Sequence, residues 1–582
     1  MKEELESGDL RVHDDGKPET APGSQTERTP PESDCEEVQE LTIPITRFWG
    51  LCVGVLLGLF LSMIDTSIVA TSLHSIGVEF EVLEDVNWVA LAYTLAYLGC
   101  AIVFARISDV VGRRDAFIAA YVIFFIFSLA CGFAQSLNQL IAFRALQGIG
   151  GSGLYSLTMI MLPEISPESI KPHMGALVGL VITVSGVLGP VLGGILTHYS
   201  SWRWVFWIKY YLLPDAEFSE ANKPSGPVGF VSLLIFVLTW PKAEYLPKLQ
   251  RRAWKEVDFL GSFLAIAAAV LVVFSFQNAG TSRSNEGWGN AAFIAPLICG
   301  LFACGLLVSW QIFIQHRWHE RFAPAFPINI FRNRIYATAV VNTLLTGFPY
   351  LLLIYAIPLR FQVVSGKSAL IAGVMLLPML GTSAIGSVIA GKINATKNFT
   401  FESLLFGSCF MTLGCGLLSS LSDESGDAKL LGYMSFCGLG FGLTVASSTM
   451  LSMVEVPIRD YAPAQGILSQ VRLLGGSLGI AASSALLNEK STNYLTGVLT
   501  PYEQATVGSS STRLSNTQWS AVRYTYADAF KVEMKIATAV AACSVISAFG
   551  AFRKQRLLIA EQRAVVVAQE AARCRAQDQQ AS

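Results

Sequence analysis

The sequence predicts an all-α membrane protein of fourteen transmembrane helices, and three observations carry that prediction. Of its 582 residues, 52% are hydrophobic and only 14% charged, where soluble domains carry about 25% charged residues. Apolar runs long enough to cross the ~30 Å hydrocarbon core of a bilayer recur from residue 48 almost to the end. Charged residues collect in the stretches between those runs. The formal net charge of −2 gives no electrostatic case for a nucleic-acid partner, so lipid is the expected surrounding.

Residues 1–46 are polar and rich in Glu, Asp, Pro, Ser and Gly. They offer too little apolar surface to fold and read as a disordered cytosolic tail. No short apolar core with a small-residue cleavage site precedes the first span, which is expected to act as its own internal signal. The spans fall near 48–73, 86–106, 115–134, 139–162, 174–197, 202–240, 258–277, 291–315, 336–360, 369–391, 402–421, 430–453, 463–487 and 534–552. A long outer loop is expected over 488–533 and a second cytosolic tail over 553–582. An even number of crossings puts both termini on one side. Loops on that side carry nineteen Lys and Arg against twelve opposite, which makes it the cytosolic side. Most of the eleven cysteines lie in apolar runs as small hydrophobes. No Cys or His spacing points to a disulfide framework or a metal.

The first span, Phe48 to Leu73, holds one charge, Asp65. A carboxylate there costs ~2.5–3.5 kcal/mol on insertion scales, so it needs a partner or a water-filled path. Ser62, Thr66 and Ser67 can hold it statically, but Asn would do so without the cost of ionisation. Arg144 in the fourth span is the candidate partner. Asp65 lies ~13 Å deep along its helix and Arg144 ~9 Å deep along one running the other way, so the two charges can share a level. Such a pair either responds to a proton or a cationic solute and biases a two-state rocking, or simply ties two helices together.

The sixth span is interrupted. Trp202 to Ile208 is apolar apart from Arg203, Lys209 opens a polar stretch to Ser225, and apolar character runs again from Gly226 to Trp240. Neither piece crosses alone, and joined without Lys209–Ser225 they make one span. The stretch 209–225 reads as an unremoved intron or an unusual splice form. The alternative is a true outer loop on a helix that re-enters.

Between the second and third spans stands Ala105-Arg-Ile-Ser-Asp-Val-Val-Gly-Arg-Arg114. Asp109 can pair with a base or cap a helix, Gly112 permits a tight turn, and Arg113 and Arg114 hold the loop inside. A positive-inside anchor is the plainer account. The order nevertheless resembles the major facilitator signature G-x-x-x-D-x-x-G-R-[KR], with Ala105 replacing the first glycine and loosening the helix contact slightly. Arg144-Ala-Leu-Gln-Gly-Ile-Gly-Gly151 is similar to the family's R-x-x-Q-G-x-G, and Gly186-Val-Leu-Gly-Pro-Val-Leu-Gly-Gly194 to its antiporter motif G-x-x-G-P-x-x-G-G. Leu61-Ser-Met-Ile-Asp-Thr-Ser-Ile-Val69 resembles the L-D-x-T-I-V segment of the fourteen-span drug:proton antiporters. Its continuation, Ser72-Leu73-His74, departs from the common Ala-Leu-Pro. Trp202-Arg-Trp-Val-Phe-Trp-Ile208 joined to Gly226-Pro-Val-Gly229 matches W-R-W-x-F-x-I-N-x-P-x-G apart from its Asn. The resemblance covers about residues 45–555.

This resemblance implies two six-helix bundles, 47–240 and 335–552, with spans seven and eight as an extra pair within 241–334. It implies a proton-coupled antiporter that exports small hydrophobic molecules, such as drugs, toxins or secondary metabolites, by alternating access, as in fungal members. Asp65, Arg144, Gln147 and Arg472 are then candidates for proton coupling and the substrate path. Asp109, Gly112, Arg113 and Arg114 would form the gating loop. Gly186, Gly189, Pro190, Gly193 and Gly194 would serve close packing in span five, where Pro190 can kink the helix; packing alone accounts for those glycines equally well. Arg472 stands beside Gly475 and Gly476 and contacts either substrate or a neighbouring helix. Tyr350 and Tyr355 in span nine face either a cavity or lipid. The expected partners are a small hydrophobic organic solute, protons and the bilayer, with the chain a monomer in the plasma membrane or, alternatively, the vacuolar membrane. No cofactor is expected. No G-x-x-x-x-G-K-[ST] loop is present to bind ATP, and no clustered His, Asp or Cys speaks for an enzyme. An uptake symporter of the same fold and a non-transporting receptor are the alternatives.

Overall fold

Lipid offers no hydrogen bonds to a backbone, so apolar runs of this length fold as helices that satisfy their own amides. The computed structural model describes residues 44–69, 72–80, 86, 88–167, 170–209, 228–241, 254–281, 289–317, 324, 326–422, 426–457, 460–499 and 515–554. The chain divides into Met1–Thr42 and Ile43–Ser582. The tail expected over 1–46 and the one expected over 553–582 lie almost wholly outside the described residues.

The helices of the first half are α1 (Ile45–Ile68), the short α2 (Leu73–Glu79), α3 (Trp88–Val111), α4 (Arg113–Gly132), α5 (Leu137–Ile165), α6 (Lys171–Tyr199), α7 (Trp204–Trp207) and α8 (Val228–Thr239). Next come α9 (Phe259–Thr281) and α10 (Ala291–Arg317). The second half holds α11 (Arg334–Val363), the short α12 (Ala369–Val374), α13 (Leu377–Thr396), α14 (Thr400–Ser419), α15 (Asp427–Glu455), α16 (Tyr461–Leu495) and α17 (Asn516–Ala548). Ten of the described helices are long and apolar enough to cross a bilayer by length and composition.

The packing partners of the first half recur in the second. In the first, α3 and α4 pack on α5, and α1 packs on α6 and α8. In the second, α13 and α14 pack on α15, and α11 packs on α16 and α17. The halves meet through α6 against α13 and α3 against α16, again a matched pair. This is two copies of one bundle, as a repeat-built fold requires. Helices α9 and α10 pack on each other, and α9 also lies against α3 and α16, so the extra pair braces both bundles. Asp258 caps α9: its carboxylate accepts from the Gly261 amide at 2.7 Å and the Trp310 indole at 2.9 Å.

Two sequence expectations need correction. The outer loop expected over 488–533 is mostly helix, because α16 continues to Leu495 and α17 starts at Asn516. A capping box starts α17: Ser515 accepts from the Gln518 amide while the Gln518 side chain accepts from the Ser515 amide. At 35 and 33 residues, α16 and α17 run ~50 Å and outlast the hydrocarbon, so their outer turns carry polar residues that hydropathy alone reads as loop. The second concerns Lys209, expected within the polar stretch, whose backbone continues the turn at the end of α7. Its carbonyl accepts from the Gly229 amide at 3.1 Å, tying α7 to α8. Residues 210–227 lie outside the described residues.

Candidate transport site

The first bundle encloses a charged cluster. Arg144 comes from α5, whose start is fixed by Ser136 accepting from the Gln139 amide, and it is buried. A Cβ at Gly148 would stand 2.4 Å from the Tyr93 carbonyl, and one at Gly150 2.4 Å from the Phe124 amide. These glycines let α3 and α4 approach α5 closely. Arg144 Nη1 donates to the Asp65 carboxylate and, at 2.8 Å, to Gln147 Oε1 one turn on. Its Nε donates to the Val89 carbonyl at 3.2 Å, and its guanidinium lies 4.2 Å from the Tyr93 ring centroid.

Asp65 has a second cation. The Lys209 ammonium donates to its other oxygen and, at 3.2 Å, to the Ser128 hydroxyl, while standing 5.0 Å from the centre of the Phe124 ring. All three charged groups are buried. One carboxylate thus neutralises one of two cations, and the cluster keeps a net positive charge tempered by aromatic faces. The depth argument brought Asp65 and Arg144 together, but Lys209 was missed. Its signal was the polar break in the sixth span, read there as foreign to the helix.

The loop between α3 and α4 is a small ion-pair network. Gly112 takes φ 105°, a backbone state disfavoured for residues with a side chain, and so lets α4 begin at once. Arg113 pairs with Asp109 at 2.7 Å and with Glu164 of α5 at 3.1 Å, while Arg114 is exposed. Arg106, which reads in sequence as a mere positive-inside residue, is buried. It reaches Asp109 at 3.4 Å, the Pro324 carbonyl, and Asp460 at the head of α16 at 3.8 Å. Ala105 costs no helix contact, because it faces Gly466, where a Cβ would lie 3.1 Å from its methyl.

The antiporter-motif glycines divide. A Cβ at Gly189 would stand 1.9 Å from Ser67 Oγ, so this glycine lets α6 sit against α1. At Gly186 and Gly194 a Cβ would meet nothing within 4 Å, so those two do not serve packing here, contrary to the sequence expectation. Gly193 accepts from Thr197 at 2.6 Å, and Pro190 lies within the continuous α6.

Between the bundles lies a cavity of about 1000 Å³, counting its open mouth, walled by α1, α5 and α6 on one side and α11, α13, α15 and α16 on the other. Met63, Met159, Met174, Tyr350 and Phe441 give it an apolar surface, and Arg472 stands in its wall. Tyr350 stacks on Phe441 with ring centroids 3.4 Å apart. Tyr355 is 43% exposed, so only the first of the two tyrosines faces the cavity. Arg472 Nη1 donates to the Tyr155 hydroxyl of the other bundle at 3.2 Å. Close packing of α11 on α16 at Gly347, Gly475 and Gly479 holds the arginine's backbone in place. The second half also carries a buried acid, Glu533 of α17, whose Oε1 accepts from Ser483 at 2.8 Å. It was hidden in the expected outer loop; the capping box at Ser515 was the signal that could have found it.

Comparison with known proteins agrees with this architecture. A family model described as Major Facilitator Superfamily matches residues 55–209. The "MFS-type transporter FPY5" of Fusarium mangiferae is 32% identical over 514 residues, covering 86% of this chain and 83% of that protein. The "MFS-type efflux pump MFS1" of Trichophyton rubrum is 30% identical over 515 residues, covering 86% and 90%. The solved structure of the human organic anion transporter MFSD10 superposes with a TM-score of 0.51 at 13% identity, over 85% of this chain and 99% of that one, which concerns the fold alone. With its two matched bundles and these relatives along most of its length, the chain belongs to the major facilitator superfamily of membrane transporters.

Proposed function

We propose that this protein is an efflux transporter that moves small, mainly apolar organic molecules out of the cytosol in exchange for protons, by rocking two bundles about the central cavity. The carrying observation is the buried ion pair of Asp65 on α1 with Arg144 on α5, which stands whatever residue occupies position 209. A proton on Asp65 would dissolve that pair and leave Arg144 a buried cation without its carboxylate. Coupling requires that the cost of this protonation differ between the two bundle arrangements. The efflux names of relatives support the direction. The apolar cavity wall supports the solute class. Flux in vesicles holding the full chain tests it: an imposed proton gradient should drive accumulation of an apolar fluorescent dye, and Asp65→Asn should abolish the drive. Undiminished gradient-driven flux in Asp65→Asn would overturn the coupling.

In the same reading the chain crosses the plasma membrane fourteen times as a monomer, with both termini cytosolic. The ten apolar helices are joined by α5, α6, α16 and the α7–α8 pair as crossings. Residues 210–225 are proposed to be excess to the transporter. Their removal would turn the Gly229 amide to Lys209 carbonyl bond into an ordinary i→i+4 helical bond. The junction then falls after Lys209. With AAG encoding Lys209 and AGC or AGT encoding Ser225, a G-T donor and an A-G acceptor bracket the stretch, and their joining recodes position 209 as Asn. That would complete I-N-x-P-x-G and leave Asp65 with one cation instead of two. Transcript sequencing checks this: a message joined at that point supports it, and peptides spanning 212–221 from native protein refute it.

A further inference from the structure

We propose that the central cavity takes an amphipathic organic anion, a carboxylate on an apolar body, with Arg472 as its counter-charge. This rests on the transport reading and narrows its substrate class. Arg472 is 8% exposed and lines the cavity. Among the described residues, its Nη1 donates to the Tyr155 hydroxyl and its buried Nε finds no acceptor. Among the described residues no carboxylate lies within ion-pair distance of it, whereas Arg144, Lys209 and Arg106 each reach at least one. A buried guanidinium without an anion is costly, so a fold that keeps one beside a cavity has reserved a place for a negative group.

The cavity's own charge settles the sign. Among the described residues, Arg472 is the one charged residue in its wall, and no Asp or Glu lines it. Asp65, two residues from the lining Met63, is already paired with two cations, and Glu164, next to the lining Pro163, is paired with Arg113. An organic cation would meet only repulsion, while a carboxylate supplies the charge-assisted partner that the guanidinium lacks. Met63, Met159, Met174 and Phe441 then receive the apolar body, and flexible thioethers accommodate varied shapes. Because Tyr155 and Arg472 belong to different bundles, an arriving anion also competes with a bond that holds the bundles together.

The test uses the full chain purified in detergent, with 1-pyrenebutyrate and its uncharged primary amide as a matched pair of probes titrated by fluorescence at neutral pH. The acid should bind at least ~tenfold more tightly than the amide, the scale of one charge-assisted bond made in a buried site. In Arg472→Gln the acid should fall to the affinity of the amide, and in Arg472→Lys it should keep part of its preference. Equal affinities in the natural chain overturn the proposal, as does an Arg472→Gln chain that weakens acid and amide alike. Should Arg472→Gln fail to fold, Tyr155→Phe leaves the charge and frees Nη1, so the acid preference should persist or grow; its loss counts against the site. The readout needs no gradient. Acid preference without proton-driven flux sinks the transport reading and spares the site, and flux of a neutral dye without acid preference does the reverse.

Discussion

Arg144 and Arg472 are both buried arginines on helices of a membrane bundle, yet their surroundings are opposite. Arg144 is closed in by a carboxylate, a glutamine, a main-chain carbonyl and an aromatic face. Arg472 has one hydroxyl and an open cavity. The first arrangement is complete without a ligand, so it answers to whatever disturbs Asp65. The second is incomplete without one. Charge in the membrane is expensive in both places, and the fold meets the cost by internal pairing in one bundle and leaves it to the ligand in the other.

The largest effect should come from breaking the closed site. Asp65→Ala strands two buried cations and should cost ~3–5 kcal/mol, seen as poor accumulation and a much lower melting temperature in detergent. Adding Lys209→Met should recover part of that loss; a double variant no better than the single would show that the carboxylate is not shared. A smaller effect tests the packing around the site. Gly189→Val should cost ~1–3 kcal/mol by driving α6 off Ser67, whereas Gly186→Ala should stay within ~0.5 kcal/mol. Similar melts for the two would refute the division of the motif glycines.

The open site should behave otherwise. Arg472→Met removes a cation that no carboxylate among the described residues neutralises, so stability should change by no more than ~1 kcal/mol or rise slightly. A loss approaching that of Asp65→Ala would mean that Arg472 is as closed as Arg144. The smallest effect belongs to Glu533, a buried acid with a serine donor and no cation in ion-pair reach among the described residues. Glu533→Gln keeps its acceptor oxygen and should melt within ~0.5 kcal/mol of the natural chain. A marked drop would reveal a charge that the second bundle needs.

Much of this was legible before any coordinates. The apolar runs, the single acid in the first span and the arginine at matching depth in the fourth lie in one linear code of hydropathy and rise per residue. The ion-pair loop between α3 and α4 was legible as well, because Asp109, Gly112 and Arg113 lie within about one turn of each other. Lys209 and Glu533 were not, since each was judged by average hydropathy: one by the polar stretch that follows it, the other by the polar outer turns of an over-long helix. Arg106 was placed on the correct loop and given the wrong environment, because its partner at Asp460 lies on the far bundle.

What the sequence alone determined is the membrane, the helices and the family, since these follow from periods and motifs within short stretches of chain. What only the tertiary structure decided is which charges are satisfied. Asp65 acquired a second cation, Gly186 and Gly194 lost their packing role, and Arg472 was left facing a cavity with no acid among the described residues of its wall. Whether a buried charge is paired depends on what stands within a few ångströms of it across helices far apart in sequence, and one-dimensional spacing carries no record of that distance.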